Sequence, residues 1–199
     1  MPGISSYGAY IPLYRLARAE IARAWGAAPP PGERAVANYD EDSLTMAVAA
    51  ARDCLAGVDR TSVGALYFAS TTAPYKEKQS AALIAAVLDL PPDATTMDFS
   101  GSLRCGSNAV KAALDAVGSG SAKNVLVVAA DMRMGYPAGP AEMNFGDGAA
   151  ALLVSAEDTL AEVEHFEKVR SEVKLASGDY IDLKMYEPAM RHLIDAYIH

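Results

Sequence analysis

Few side chains in these 199 residues can attack or hold an electron-poor carbonyl: two cysteines, Cys54 and Cys105, and three histidines, His165, His192 and His199. Cys105 lies in Met97-Asp98-Phe99-Ser100-Gly101-Ser102-Leu103-Arg104-Cys105-Gly106-Ser107, which reads as a strand turning into a helix. A thiol is mostly protonated at neutral pH. A helix N-terminus shifts that balance, because the macrodipole and unpaired N–H groups favour the thiolate and can later hold an oxyanion. Cys105, flanked by Arg104 and Gly106, is therefore a candidate nucleophile. The alternative is a small apolar residue packed in the first turn, the usual role of an unpaired cysteine. Cys54 falls on the packed face of an Ala-rich helix and reads as core. No Cys or His cluster has zinc spacing, so no metal is expected. The lone tryptophan, Trp25, and Tyr75 complete the candidates.

Short β-branched runs alternate with longer Ala-rich stretches, the pattern of parallel strands joined by helical crossovers. Residues 3–11 read as a first strand, 16–25 as a short helix and 28–32 as a loop. Asp40-Glu41-Asp42-Ser43 offers a cap, followed by an apolar stripe of Leu44, Val48, Ala51 and Leu55 facing a sheet. Strands are expected at 65–69, 95–99, 125–130 and 149–154, and helices at 79–88 and 107–117. The run 125–130 is apolar throughout, as in a strand buried on both faces. Charges become dense past Thr159, the text from 168 to 182 has no clear period, and a last helix over 188–198 runs into His199. That ending suggests a truncation or one subunit of a split protein.

Composition is that of a soluble globular domain: 51% hydrophobic, 21% charged and a net charge of −8. The acidity argues against nucleic-acid binding, which needs surplus Lys and Arg. There is no membrane-length apolar run and no visible signal peptide, so a reducing cytoplasm is the expected setting.

Several segments resemble, in order, the thiolase superfamily, especially HMG-CoA synthases and initiating β-ketoacyl-ACP synthases. Gly3-Ile4-Ser5-Ser6-Tyr7-Gly8-Ala9-Tyr10-Ile11-Pro12 is similar to their first strand. Glu33-Arg34-Ala35-Val36 with Asp40-Glu41-Asp42-Ser43-Leu44-Thr45-Met46-Ala47 resembles their "ERxV…DEDxxTMA" stretch, and residues 124–131 their fourth strand. The most specific segment, Phe145-Gly146-Asp147-Gly148-Ala149-Ala150-Ala151-Leu152-Leu153-Val154, resembles "FGDGAxAxLL". The resemblance implies an α/β thiolase-like half-sandwich, βαβαβαββ, which is one half of a five-layered αβαβα fold. It places that half at residues 1–165 and a charged extension, the start of a truncated or split second half, at 166–199.

Such enzymes make or break carbon–carbon bonds on acyl thioesters through an acylated cysteine, with a His from the other half. Two departures stand out here. The family's cysteine falls five residues after the strand aspartate, which from Asp98 gives Leu103 rather than Cys105. Two residues on a helix rotate a side chain by about 200°. Where HMG-CoA synthases carry a catalytic glutamate in "SESxPY", this chain has Ser70-Thr71-Thr72-Ala73-Pro74-Tyr75, and Thr71 is no general acid at neutral pH. HMG-CoA synthase chemistry proper is therefore not expected, while a relative using other groups, such as Tyr75, stays open. Trp25, shortly before Glu33-Arg34, matches a tryptophan that stacks on the adenine of coenzyme A; packing at the domain edge is the alternative. The histidines read as surface or terminal residues, Arg133 to Met143 as a dimer-crossing or plain surface loop, and Gly146-Asp147-Gly148 as turn chemistry with no catalytic role.

The expected function is a thiolase-like acyltransferase half or subunit acting on acyl-CoA or acyl-carrier thioesters, with coenzyme A thioester as substrate and no cofactor. The alternatives are a degenerate scaffold that stabilises a partner, or a cut-down piece of a longer enzyme. The implied partners are a second thiolase-like half, which would bring the histidine, and a zinc-ribbon/OB-fold protein; an oligomer is expected. Alone, the chain should associate and should not turn over.

Overall fold

The computed structural model describes residues 1–28, 30–163, 173–174 and 180–181. It divides into two units, Met1–Glu164 and His165–His199. In the second, the described part is an antiparallel pair, Val173–Lys174 with Tyr180–Ile181. The expected helix over 188–198, the three histidines and most of 168–182 lie outside the described residues.

The first unit begins with β1 (Gly3–Tyr10), β2 (Tyr14–Ala17), α1 (Arg18–Trp25), β3 (Glu33–Val36) and α2 (Ser43–Cys54). It continues with β4 (Ala65–Ala69), α3 (Ser80–Val87), β5 (Thr95–Phe99), α4 (Cys105–Gly118), β6 (Asn124–Asp131), α5 (Pro140–Asn144), β7 (Gly148–Ser155) and β8 (Ala161–Glu162). Setting aside the β2–α1–β3 insert, α5 and the edge strand β8, the order is the expected βαβαβαββ. The main sheet runs β5-β4-β6-β7-β1-β8. Only β5, β4 and β6 are parallel; β7, β1 and β8 pair antiparallel. The sheet is thus mixed, not parallel as the alternation implied, because β6 and β7 are joined without a crossover of full length.

Helices cover both faces, and the pleat sorts the side chains between them. Leu66, Phe68, Leu126, Val128 and Leu153 face α2 and α3, while Tyr67, Val125, Val127 and Val154 face α4. All of β4 is buried. The face α2 presents is Ala47, Ala50, Ala51 and Cys54, with Leu44 and Val48 on its flank. The expected stripe is thus rotated toward small residues. The cause is close approach: a Cβ on Gly8 of β1 would collide with the backbone of Ala50 and Cys54. Asp42 caps α2 through a capping box with Thr45, its carboxylate accepting from the Thr45 N–H at 2.8 Å.

Two element boundaries differ from expectation. The helix expected over 16–25 starts at Arg18, since 14–17 pair with β3 in a separate two-stranded ribbon. The helix expected from Ser107 begins at Cys105.

Candidate functional site

Three segments meet at the carboxyl ends of β4, β5 and β6: the turns 70–75 and 100–104, and the exit from β6 at Asp131–Arg133. Open α/β sheets bind ligands at this end. A cavity of about 230 Å³ opens there, lined by Ser70, Tyr75, Lys76, Lys78, Asp98 and Ser100 among others. Lys78 lies over the Tyr75 ring, 5.1 Å from its centroid. A larger cavity, about 420 Å³, sits at the opposite end by Ser62, Lys123, Asn124 and Ser155. There Asn124 bonds Ser62 and Lys123 pairs with Glu157, so its polar groups are already engaged within the fold.

The turn into α4 is shaped by Gly101, whose φ of 78° suits glycine, and by Ser102, whose hydroxyl accepts from the Arg104 N–H. Cys105 is the first residue of α4, the position that electrostatics would choose for a nucleophile. Its side chain, however, packs inward with Tyr67, Ala109 and Val127 and is 7% exposed. Burial pushes its thiol above the ordinary cysteine value; backbone N–H groups at Gly106 and Cys105 oppose this, and the charge of Asp131 adds to it. Leu103, where the resemblance would put a cysteine, is 79% exposed. The two-residue offset has therefore placed an inert side chain outward and the thiol inward. Cys54 is fully buried as expected, and burial raises its thiol too.

Asp131, at the end of β6, gathers the segment Ser70-Thr71-Thr72. Its Oδ1 accepts from the Thr71 N–H at 2.8 Å and the Thr72 hydroxyl at 2.9 Å, and from Ser70 Oγ at 3.1 Å. Thr71 Oγ1 lies 3.1 Å from both carboxylate oxygens and accepts from Arg133 Nη1 at 2.5 Å. Thr71 is thus a bridge between an acid and a base. Asp98, on β5, accepts from the Ser80 and Ala81 N–H groups at 2.7 Å each and caps α3, which has no side-chain cap of its own.

A second network lies beside the first. Arg34 and Asp147 are both buried and paired at 3.5 Å. Asp147 also accepts from the Ala37 N–H at 2.8 Å and the Arg133 N–H at 2.7 Å. Arg34 donates to the carbonyls of Glu142 at 2.7 Å and Arg133 at 2.8 Å; its Nε has no partner among the described residues. Gly146 packs against Ala35, where a Cβ would meet the Ala35 nitrogen at 3.2 Å. The two motifs read separately in the sequence, Glu33-Arg34 and Gly146-Asp147-Gly148, are therefore one assembly. Its aspartate is a buried hub, more than turn chemistry.

Trp25 ends α1 far from the α4 turn in sequence, with its Nε1 donating to Glu142 Oε2 at 2.9 Å and its ring 47% exposed. Glu142 Oε2 also accepts from the Ala138 N–H. The indole is thus tied to the loop 133–143. Among the described residues no group of His, Cys, Asp and Glu could hold a metal ion, and no helix is long and apolar enough to cross a membrane.

Comparison with known proteins follows from this geometry. A family model for 3-oxoacyl-[acyl-carrier-protein] synthase III matches residues 97–169, from β5 through the α4 turn to past β7. The hydroxymethylglutaryl-CoA synthase of Pyrococcus furiosus is 38% identical over 168 residues, 83% of this chain and 48% of that protein. The synthase of Methanocella arvoryzae is 36% identical over 171 residues, 82% of this chain and 49% of that protein. Among solved structures, MvaS in complex with 3-hydroxy-3-methylglutaryl coenzyme A has a TM-score of 0.75 at 24% identity, covering 94% of this chain and 49% of that one. The priming β-ketosynthase from the R1128 polyketide biosynthetic pathway has a TM-score of 0.70 at 27% identity, covering 80% and 51%. In fold and in sequence the chain is similar to the thiolase-like condensing enzymes, among them hydroxymethylglutaryl-CoA synthases and 3-oxoacyl-ACP synthases III. It spans about half the length of the curated relatives it matches.

Proposed function

We propose that this chain is the acyl-thioester-binding half of a thiolase-like acyltransferase that forms or cleaves a carbon–carbon bond beside a thioester carbonyl, and that its chemistry does not pass through an acyl group on Cys105. The observation that carries the second clause is the inward thiol. Cys105 is buried among apolar side chains and held toward its protonated form, while Leu103 takes the exposed place on the turn. A buried neutral thiol is a poor nucleophile.

A second thiolase-like half would supply the acid–base group and complete the site. Large apolar side chains around the site support such a partner: Leu103 is 79% exposed, Met134 83% and Tyr136 88%. Coenzyme A thioester is the substrate class, with Trp25 available to stack on its base by its exposed ring. A zinc-ribbon/OB-fold protein is a further proposed partner, on resemblance alone, and a cytoplasmic setting is part of the same reading.

The test uses the purified chain with and without a candidate second half, incubated with acetyl-CoA while free CoA is followed. Turnover only with the second half, retained in Cys105→Ala, is the expected result. Loss of all turnover in Cys105→Ala, with the variant still folded and still bound to its partner, would restore Cys105 as nucleophile.

The scaffold reading draws on a different observation. Thr71 is engaged by both Asp131 and Arg133, so no acid stands where the family's glutamate would. Stable association with the second half, with no CoA release under any condition, would favour it.

A further inference from the structure

Arg133 leaves β6 with its main chain held on both sides: its N–H donates to Asp147 at 2.7 Å and its carbonyl accepts from Arg34 at 2.8 Å. Those partners are the buried pair, so the position of the side chain's root is set by a buried ion pair. The guanidinium itself is touched at two points. Nη1 donates to Thr71 Oγ1, and the group lies over the Phe145 ring, 5.3 Å from its centroid.

Its charge has no direct answer. Among the described residues no carboxylate comes within ion-pair distance of Arg133. Asp131 is reached only through Thr71, and its own oxygens are taken by Ser70, Thr71 and Thr72. Half-buried charges are normally paired. A guanidinium stacked on a ring keeps its planar fork of N–H donors free at the edge, the geometry that binds a carboxylate with two parallel hydrogen bonds. Gly106, in the first turn of α4, packs on Ala129, two residues before the Asp131 that Arg133 reaches through Thr71.

We propose that Arg133 recognises a carboxylate carried by the acyl group of the thioester substrate, selecting dicarboxylic acyl thioesters over neutral ones. This rests on the acyl-thioester reading above. A carboxylate fits better than the phosphates of coenzyme A. One half-buried guanidinium matches a planar monoanion, whereas polyphosphate binding calls for clustered exposed cations or a helix N-terminus.

The test titrates the full chain calorimetrically with succinyl-CoA and with 4-methylpentanoyl-CoA, which has the same shape without the charge. Succinyl-CoA should bind about tenfold tighter, the scale of a charge-assisted hydrogen bond. Arg133→Met should erase that preference and leave 4-methylpentanoyl-CoA binding as it was, and Arg133→Lys should recover part of it. A preference that survives in Arg133→Met overturns the proposal. So does equal weakening of both esters, which would mark a contact to the coenzyme A phosphates. Binding of neither ester would sink the acyl-thioester reading instead. A readout independent of coenzyme A then decides for Arg133: its Nε–H resonance, assigned by its absence in Arg133→Met, is followed during titration with succinate. A shift supports carboxylate recognition, and an unmoved resonance overturns it.

Discussion

Two aspartate-centred networks hold the same end of this sheet, and their charges are answered in different ways. Asp147 is buried opposite a buried guanidinium, and between them they satisfy four main-chain groups on three segments. Asp131 is half-buried and answered by hydroxyls and one N–H, with its nearest cation a residue away through Thr71. A buried pair loses heavily when either member goes, because the survivor is left charged in a medium that cannot solvate it. A carboxylate ringed by hydroxyls loses only hydrogen bonds. The first arrangement is suited to holding a chain in place, the second to leaving a cation with donors to spare.

The comparison can be broken most directly at Asp147. Asp147→Ala should cost about 3–5 kcal/mol in urea unfolding, and the double variant with Arg34→Met should cost less than Asp147→Ala alone. A single-variant loss under about 1 kcal/mol would mean that the pair is not the anchor described here. Asp131→Ala should cost about 1–3 kcal/mol, the penalty of orphaned donors. Asp98→Ala strips the cap from α3 and should cost about 1 kcal/mol. Arg133→Met should change stability by no more than about 0.5 kcal/mol, as a group without a charge partner among the described residues. A large loss there would make Arg133 part of the frame.

A pH experiment sharpens the same contrast. Burial, with Asp131's charge adding to it, holds the Cys105 thiol above the ordinary value near ~8.5. Below that value the folded and unfolded chains both keep the proton, so its contribution to stability is constant; as pH rises toward the raised value, the unfolded chain ionises first and stability falls. Iodoacetamide labelling of Cys105 should accordingly be slow at pH 7, comparable with Cys54, and climb only in alkaline buffer. In Asp131→Asn the climb should begin at lower pH. Fast labelling at neutral pH in the wild-type chain would contradict the inward placement of the thiol.

The elements that bury apolar runs could be read from the residues alone. The strand at 65–69 falls where its apolar text places it, and the apolar run 125–130 lies within β6. The ribbon strand 14–17 was hidden for the opposite reason: all of its side chains are exposed, so no alternation marks it. The start of α4 was misplaced by two residues because Arg104 caps without a side-chain bond, leaving no Ser, Thr or Asp signal at the boundary. The inward packing of Cys105 was legible all the same: an offset of two residues, about 200° on a helix, already points to a thiol packed in the first turn. The Asp131 network joins residues about sixty positions apart, and Ser-Thr-Thr carries no local sign of a distant acceptor. Arg34 and Asp147 were both visible in motifs, but that they meet is a fact of topology, since β3 and the start of β7 are brought together only by the fold.

The clamp made by Arg34 has a consequence for how this chain can vary. By bonding the carbonyls of Arg133 and Glu142, it closes the neck of the excursion between them and makes its tip independent of the sheet. Lengthening a loop whose ends are already joined costs little, about 0.6 kcal/mol for each doubling. The segment from Met134 to Ala141 is therefore a socket for grafts. Insertions of new sequence there, or exchange for the corresponding segment of a relative, should leave the sheet, the two aspartates and the root of Arg133 where they are.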